Sequence, residues 1–429
     1  GGNNIIAENN ISNNRNGLWL AFSSDNIMIE NIFTNNGIVI ASSKLQHWNS
    51  QTIENNTVNG KPLYYFKNEV GSKVPEDAGE VILANCTNMR VENINALNAT
   101  VGIELAYTTD SLVANCNASS NNDCGICLIS SSNNTLTNNV VLRNGQGIWV
   151  YWNSSNNILT NNNASNNDYG IHLCTSNNNI LTNNIVNANN WAGIVLTFSS
   201  GNIIYLNDFI NNSWWAEEST NIWNSTEKIT YTYNSSTYTN YLGNYWDDYR
   251  ERYPDAEEID GTGIWDTPYG IDSDNDNYPL MEPWESYFKP PEEKIFDTEA
   301  PANPYPSIMG THNGTIKPNQ TITVSKLYTY PCAGTGGHSE YVWIYGNGIN
   351  VNATWNCYQR AGDYHCIVFS EPFTLEANVT YNYTIKTGSY PQIHHNIILT
   401  VPDGEITCAE FIDANGKIYC DWIPAIRLE

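Results

Sequence analysis

The chain has 429 residues, room for two or three domains. Only 14% of residues are charged, yet acids outnumber bases 44 to 18, for a net charge of −26. That balance excludes binding to nucleic acid or an anionic membrane through charge, and no apolar run has the length of a membrane span.

From the first residues the pattern is that of short apolar strands between polar turns. Gly17-Leu-Trp-Leu and Gly37-Ile-Val-Ile are 20 residues apart and read as coils. Residues 58–80 interrupt them as an insertion. Five near-identical units follow, opening at Gly102, Gly125, Gly147, Gly170 and Gly193, with intervals of 23, 22, 23 and 23 residues. Such units cannot bury an apolar face alone and must stack, which predicts a parallel β-helix over residues 1–215. Period-two alternation turns Ile126/Leu128, Ile148/Val150, Ile171/Leu173 and Ile194/Leu196 inward. It turns Glu104, Cys127, Trp149, His172 and Val195 outward. The chain starts in mid-pattern, so its first coil offers bare strand edges. Head-to-tail self-association is the expected consequence.

The turns are rich in Asn. Asn139, Asn162, Asn184 and Asn207 recur three residues after the Leu of each turn motif or in the matching register. They are expected to form a ladder of stacked, hydrogen-bonded side chains; tolerance of left-handed turns is the competing reason for Asn there. Sixteen N-x-S/T sequons occur, at Asn10, Asn55, Asn85, Asn98, Asn117, Asn133, Asn153, Asn163, Asn211, Asn224, Asn234, Asn313, Asn319, Asn352, Asn378 and Asn382. Their density points to an extracellular or cell-surface glycoprotein. Ten Cys suit an oxidising compartment. Cys332, Cys357, Cys366, Cys408 and Cys420, near the C-terminus, are the disulfide candidates.

Residues 216–289 are aromatic and acidic. Their Trp and Tyr residues are expected to cap the open end of the β-helix, with sugar stacking as the alternative. Two loops place oxygen ligands at alternate positions: Asp260, Thr262 and Asp266 in one, Asp272, Asp274 and Asp276 in the other. This spacing suits Ca²⁺. No haem or nucleotide motif is present. A proline-rich linker spans 290–306. Alternating runs over 307–429 then predict a β-sandwich, making the whole chain all-β.

The repeats of the form NNTLTNN…GIWV, the phrase NGKPLYYFKNEVG, and GNYWDDY…DGTGIWDTPYGIDSDNDNYPLM together resemble NosD-like right-handed parallel β-helix proteins of archaeal cell surfaces, over residues 1 to about 288. The resemblance implies a secreted or S-layer-like protein without assigned catalysis. Thr262 and Trp265 depart from the family's Asp- and Gly-rich version of the last motif, which weakens the first calcium loop. Some members carry a copper label, but no Met/His or Cys/His cluster in these coils supports copper.

No catalytic residues are expected. Arg15, Arg90 and Arg143 lie in different coils and turns. Asp123 and Asp168 take equivalent corners, with Gln146 between them, at roughly 10 Å for two coils. The expected function is a non-enzymatic structural protein assembling into a surface lattice, sheath or filament. A carbohydrate-binding adhesin, or a polysaccharide lyase or hydrolase, is the alternative, with cell-surface glycans as the other expected partner.

Overall fold

The structure is a computed structural model that describes residues 2–288, 294–302, 305–306, 308–333, 335–356, 363–388 and 390–429. Much of the proline-rich stretch (290–293, 303 and 304) and Cys357 lie outside the described residues. Two compact units are present, Gly1–Lys289 and Pro290–Glu429.

The first unit contains two β-helical stacks rather than one. The long stack has a first sheet of eight parallel rungs, running Lys61–Lys67, Glu80–Ala84, Val101–Ala106, Cys124–Ile129, Gln146–Tyr151, Tyr169–Cys174, Ala192–Thr197 and Trp214–Glu217. Register holds the same residue type in line: Ile103, Ile126, Ile148, Ile171 and Ile194 form one column, and Leu105, Leu128, Val150, Leu173 and Leu196 another. Each of these side chains is at most 1% exposed. At about 1.5–3 kcal/mol for each buried Ile or Leu, the rung-on-rung columns dominate the core energy. Two further parallel sheets complete the coils, and they contribute Leu136, Leu159 and Leu181, and Val141 and Val186, to the same core.

Two consecutive residues build each corner. The first adopts the left-handed conformation, as at Asn138, Asn161 and Asn183 with φ of 55°, 55° and 58°. The second turns its side chain into the stack. Asn139 Nδ2 donates to Asn162 Oδ1 at 3.0 Å, Asn162 to Asn184 at 3.0 Å, and Asn184 to Asn207 at 2.8 Å. The expected ladder is therefore present, and both proposed roles of Asn operate at adjacent positions. A second ladder runs Asn134, Asn157, Asn179, Asn202, Asn221. In a third, Asn144, Asn167, Asn189 and Asn212 are joined side chain to side chain, and Asn121 N–H donates to Asn144.

Residues 2–58 form the short stack, with its own ladder pairs Asn4–Asn26 and Asn9–Asn31. The expectation of a single rod through residue 215 is corrected at Asn59-Gly60. Both residues have positive φ (52° and 79°), and the strand Thr57–Val58 pairs antiparallel with Lys61–Lys67 across them. Positive φ at both central positions is the tight hairpin geometry that Asn-Gly favours. The chain thus reverses and begins the long stack inside the supposed insertion. The strand Ile38–Ala41 of the short stack then lies over the outer face of the long stack's first sheet. Ile38 N–H donates to Glu80, Gly37 N–H to Thr100 Oγ1 at 2.8 Å, and Lys67 Nζ to Gln51 O at 2.7 Å. Leu20, Ile38, Ile40 and Trp48 share a second core with Ile82, Ala84, Ala106 and Ile129. Glu104 and Cys127, expected to face solvent, are 2% and 3% exposed because of this cover, and Val195 farther along the same face is also buried.

Aromatic residues close the far end of the long stack. Trp246 stacks between Phe209 at 4.5 Å and Tyr269 at 4.3 Å, and Tyr249 stacks on Trp265 at 5.0 Å. Trp223, Trp246, Tyr249, Trp265 and Tyr269 are at most 4% exposed. Their faces are spent on one another, so they are not open to sugar stacking.

The second unit is built of antiparallel sheets. A large sheet containing Gly310–Pro318, Ser339–Gly346, Tyr381–Thr387 and Gly404–Asp413 shares one core with a smaller sheet containing Ile322–Thr329 and Cys366–Leu375. This is the arrangement expected of a sandwich. Among the described residues, Cys332, Cys408 and Cys420 form no disulfide with one another. Cys366 begins a strand of the smaller sheet.

Candidate functional site

The second acidic loop occupies the ends of two Asn ladders. Asn207 Nδ2 donates to Asn244 Oδ1 at 2.9 Å, and Asn244 N–H donates to Asp276 Oδ2 at 2.7 Å. Trp246 Nε1 donates to the same oxygen at 3.0 Å, and Tyr278 N–H to Oδ1 at 3.1 Å. Asp276 is therefore the terminal acceptor of a ladder, in the place where an Asn would need another rung. Asp274 does the same for the second ladder, accepting from Asn221 N–H at 2.8 Å. A Cβ at Gly243 would lie 1.8 Å from Asp276 Oδ1, so the glycine admits the carboxylate. Burial pushes the Asp276 carboxyl up to about 7 against the pull of its N–H donors. In the first loop, Asp266 accepts from Glu257 N–H at 3.1 Å and Thr262 Oγ1 donates to Ile259 O, while Asp260 and Asp272 are exposed turn residues with φ of 46° and 52°. Among the described residues, no group of three or more His, Cys, Asp or Glu is placed to hold a metal ion.

The sixteen sequon asparagines form a separate population. Twelve are exposed, four are half-buried (Asn117, Asn163, Asn224 and Asn313) and none is buried. Asn139, Asn162, Asn184 and Asn207, by contrast, are at most 1% exposed.

The third corner of the long stack carries an open cleft of about 670 Å³, lined by Arg15, Asn122, Arg143, Asn166, Asp168, Asn190 and Trp191 among others. A second hollow of about 400 Å³ adjoins it through Asn190 and ends at Asp247, Asp248 and Glu251. The repeat makes this groove, because Asn122, Asp168 and Asn190 each directly follow a ladder Asn and line it. Asn122 donates to Asn14 O at 3.2 Å and Asn35 O at 2.9 Å, tying the corner to the short stack. Asn190 Nδ2 donates to Asp168 Oδ1 at 3.0 Å. Arg143 holds a left-handed backbone, φ 57°, where neighbouring rungs have Ser120, Asn166 and Ala188. Trp191 is 65% exposed and meets Tyr169 edge-on at 5.3 Å. Tyr169 leads to His172, which stacks beside Trp149 at 5.8 Å. Burial pushes His172 down to about 4, so the ring is neutral near pH 7.

Two sequence expectations are corrected here. Arg15 and Arg143, distant in sequence, line one cleft, because the short stack carries Arg15 back onto the long one. Cys124 pairs with Gln146 and Gln146 with Tyr169, so the residue between Asp123 and Asp168 is Gly145. Asp123 instead meets Arg15 at 3.8 Å. Trp191 and Asn190 went unread. The exposed Trp directly before the repeat's Ala-Gly was the available signal.

Residues 63–251 match the family model described as "Periplasmic copper-binding protein (NosD)". Copper favours His, Cys and Met ligands; in this segment Cys124 and Cys127 lie side by side, but among the described residues no group of three or more His, Cys, Asp or Glu is placed to hold a metal. Cys86 and Cys116 point to backbone carbonyls at ladder positions, and His172 meets Gln146 Oε1 at 3.2 Å. The residues present do not fit a copper site. No curated protein matches the sequence. Among solved structures, the periplasmic alginate epimerase AlgG is 14% identical, covering 47% of this chain and 49% of its own, with a TM-score of 0.30. The A-module of the Azotobacter vinelandii mannuronan C-5 epimerase AlgE4 is 16% identical over 46% and 63%, TM-score 0.29. Tailspike protein 2 of Escherichia coli O157:H7 bacteriophage CAB120 is 12% identical over 99% and 61%, TM-score 0.29. The alignment thus spans about half of the first epimerase's length. With its ladders and register, the repeat segment of this chain is a parallel β-helix, and its residues 63–251 are similar to the NosD family.

Proposed function

We propose that this protein is an extracellular β-helix that holds a polysaccharide strand along its third corner without turning it over. One observation carries the reading: a single open cleft brings together Arg15, Arg143, Asp168, a row of Asn side chains and the exposed ring of Trp191. Sugar recognition uses these groups, with hydroxyls on amides and carboxylate and an apolar ring face on an indole. Hydrolysis needs two carboxyls flanking the bond. Here Asp168 is the one carboxylate lining the cleft, and Asn190 engages it. The exposed sequons support secretion.

The test is affinity electrophoresis through a panel of neutral and acidic polysaccharides, with parallel assays for reducing and unsaturated sugar. Retention by at least one polysaccharide without product is expected, and Trp191→Ala should weaken it roughly tenfold, about 1–1.5 kcal/mol. Sugar release would convert the reading to an enzyme; no retention by any polysaccharide would end it. Assembly into a surface lattice or filament is a second reading, favoured by ladders that stiffen the first unit along its stacking direction. Negative-stain microscopy of native material tests that, and dispersed monomers would reject it.

A further inference from the structure

The outer face of the long stack carries three carboxylic acids on neighbouring rungs, Glu80, Glu104 and Asp123, and the short stack closes over them. Glu80 and Glu104 are 1% and 2% exposed. Glu80 accepts from Ile38 N–H at 3.1 and 3.3 Å through its two oxygens. Glu104 Oε2 is buried with no hydrogen-bond partner. Gly37 leaves room for this contact, since a Cβ there would lie 1.8 Å from Glu80 Oε2. The cation of the column is Arg15, 3.8 Å from Asp123 and largely exposed. Lys61, on the neighbouring strand, sends its ammonium to Asn95 O at 3.1 Å. The other ionisable groups facing the acids are Cys124, Cys127 and Tyr151, and burial keeps each of them neutral.

Among the described residues Arg15 is the one cation paired with these acids, and Lys67, which also bridges the two stacks, gives its ammonium to Gln51 O; such an interface cannot hold three ionised carboxyls. We propose that docking of the short stack is proton-linked, with Glu80 and Glu104 protonated in the docked state and the short stack loosening as pH rises. Burial, followed by the neighbouring acid, raises both carboxyls well above their ordinary range. Once released into water, each returns to about 4.3. Docking is therefore fully favoured below about pH 4 and weakens as pH climbs from there through the docked-state values. The Asn59-Gly60 turn is the chain connection that permits this motion. Arg15 belongs to the short stack, so loosening also withdraws it from the cleft. That last link rests on the glycan reading of the cleft, whereas the docking does not.

Hydrogen exchange on the intact chain tests the idea at pH 5 and pH 8, expressed as protection factors so that intrinsic exchange rates cancel. Peptides covering 17–41 should lose roughly tenfold or more protection at pH 8, while peptides covering 180–205 keep theirs. Glu80→Gln with Glu104→Gln should reduce the pH effect on 17–41 to less than about twofold. Equal protection at the two pH values, or an undiminished fall in the double variant, would overturn the proposal. If the double variant does not fold, Glu104→Gln alone decides. It should clearly lessen the fall, and a fall equal to that of the native chain overturns the idea.

Discussion

One residue type does three jobs in this protein, and position decides which. The first Asn of each doublet supplies a left-handed corner, the second a ladder rung, and most sequon Asn are exposed glycan acceptor positions, some of them, such as Asn133, at a left-handed corner themselves. The ladder ends where Asp276 replaces the next Asn, because a terminal rung needs acceptors and no donor. Its four N–H contacts, however, meet a buried carboxyl whose pKa stands near 7. In the unfolded chain the group titrates near 3.9. The folded state therefore binds the proton more tightly, and Asp276's contribution to stability is whole below about pH 4 and lost as pH rises through about 7. Asp276→Asn keeps the main acceptor and removes the charge. Thermal melts should show this variant gaining on the native protein at pH 8 and not at pH 4; the opposite order would mean that the N–H donors outweigh burial. Gly243→Ala should cost about 3 kcal/mol at either pH, since its Cβ collides with the same carboxyl.

At the scale of the coil, adjacent positions should respond very differently to the same substitution. Asn162 is 1% exposed; it accepts from Asn139 and donates to Asn184 and to Leu136 O. Asn162→Ala strands these partners in the core and should cost about 3 kcal/mol. Asn161, one residue earlier, is exposed with φ 55°. Asn161→Ala should cost about 1 kcal/mol and Asn161→Gly close to nothing. Urea denaturation of the three variants checks the ranking, and equal losses at 161 and 162 would remove the ladder's special standing. The same adjacency explains what was legible in advance. A 22- or 23-residue coil repeats its own chemistry, so core columns and one ladder can be read from spacing. The reversal of the chain was written as Asn59-Gly60, a strong hairpin signal, but it lay within a stretch that broke the period. The cleft was not legible. Arg15 and Arg143 meet only because the short stack folds back, and no repeat spacing encodes that return.

Over the whole molecule, the charge imbalance should govern the response to salt. With 44 acids and 18 bases, repulsion outnumbers attraction at any distance beyond contact. The ion pairs that exist are mostly exposed, such as Lys73–Glu76 at 2.8 Å and Arg252–Asp248 at 2.6 Å, and such pairs contribute little. Adding salt shortens the screening length from roughly 30 Å at 0.01 M to about 3 Å at 1 M. Screening then removes more repulsion than attraction, and the melting temperature should rise steadily with NaCl. A fall would show that the surface pairs matter more than the net charge. CaCl2 at matched ionic strength separates this field from a specific site. The cap's carboxylates at Asp274 and Asp276 already accept N–H groups, so calcium is expected to raise the melting temperature no more than sodium does. An excess rise that saturates at millimolar calcium, and is lost on mutating Asp260 or Asp266, would instead place an ion in the first acidic loop, where the oxygens remain nearest to water.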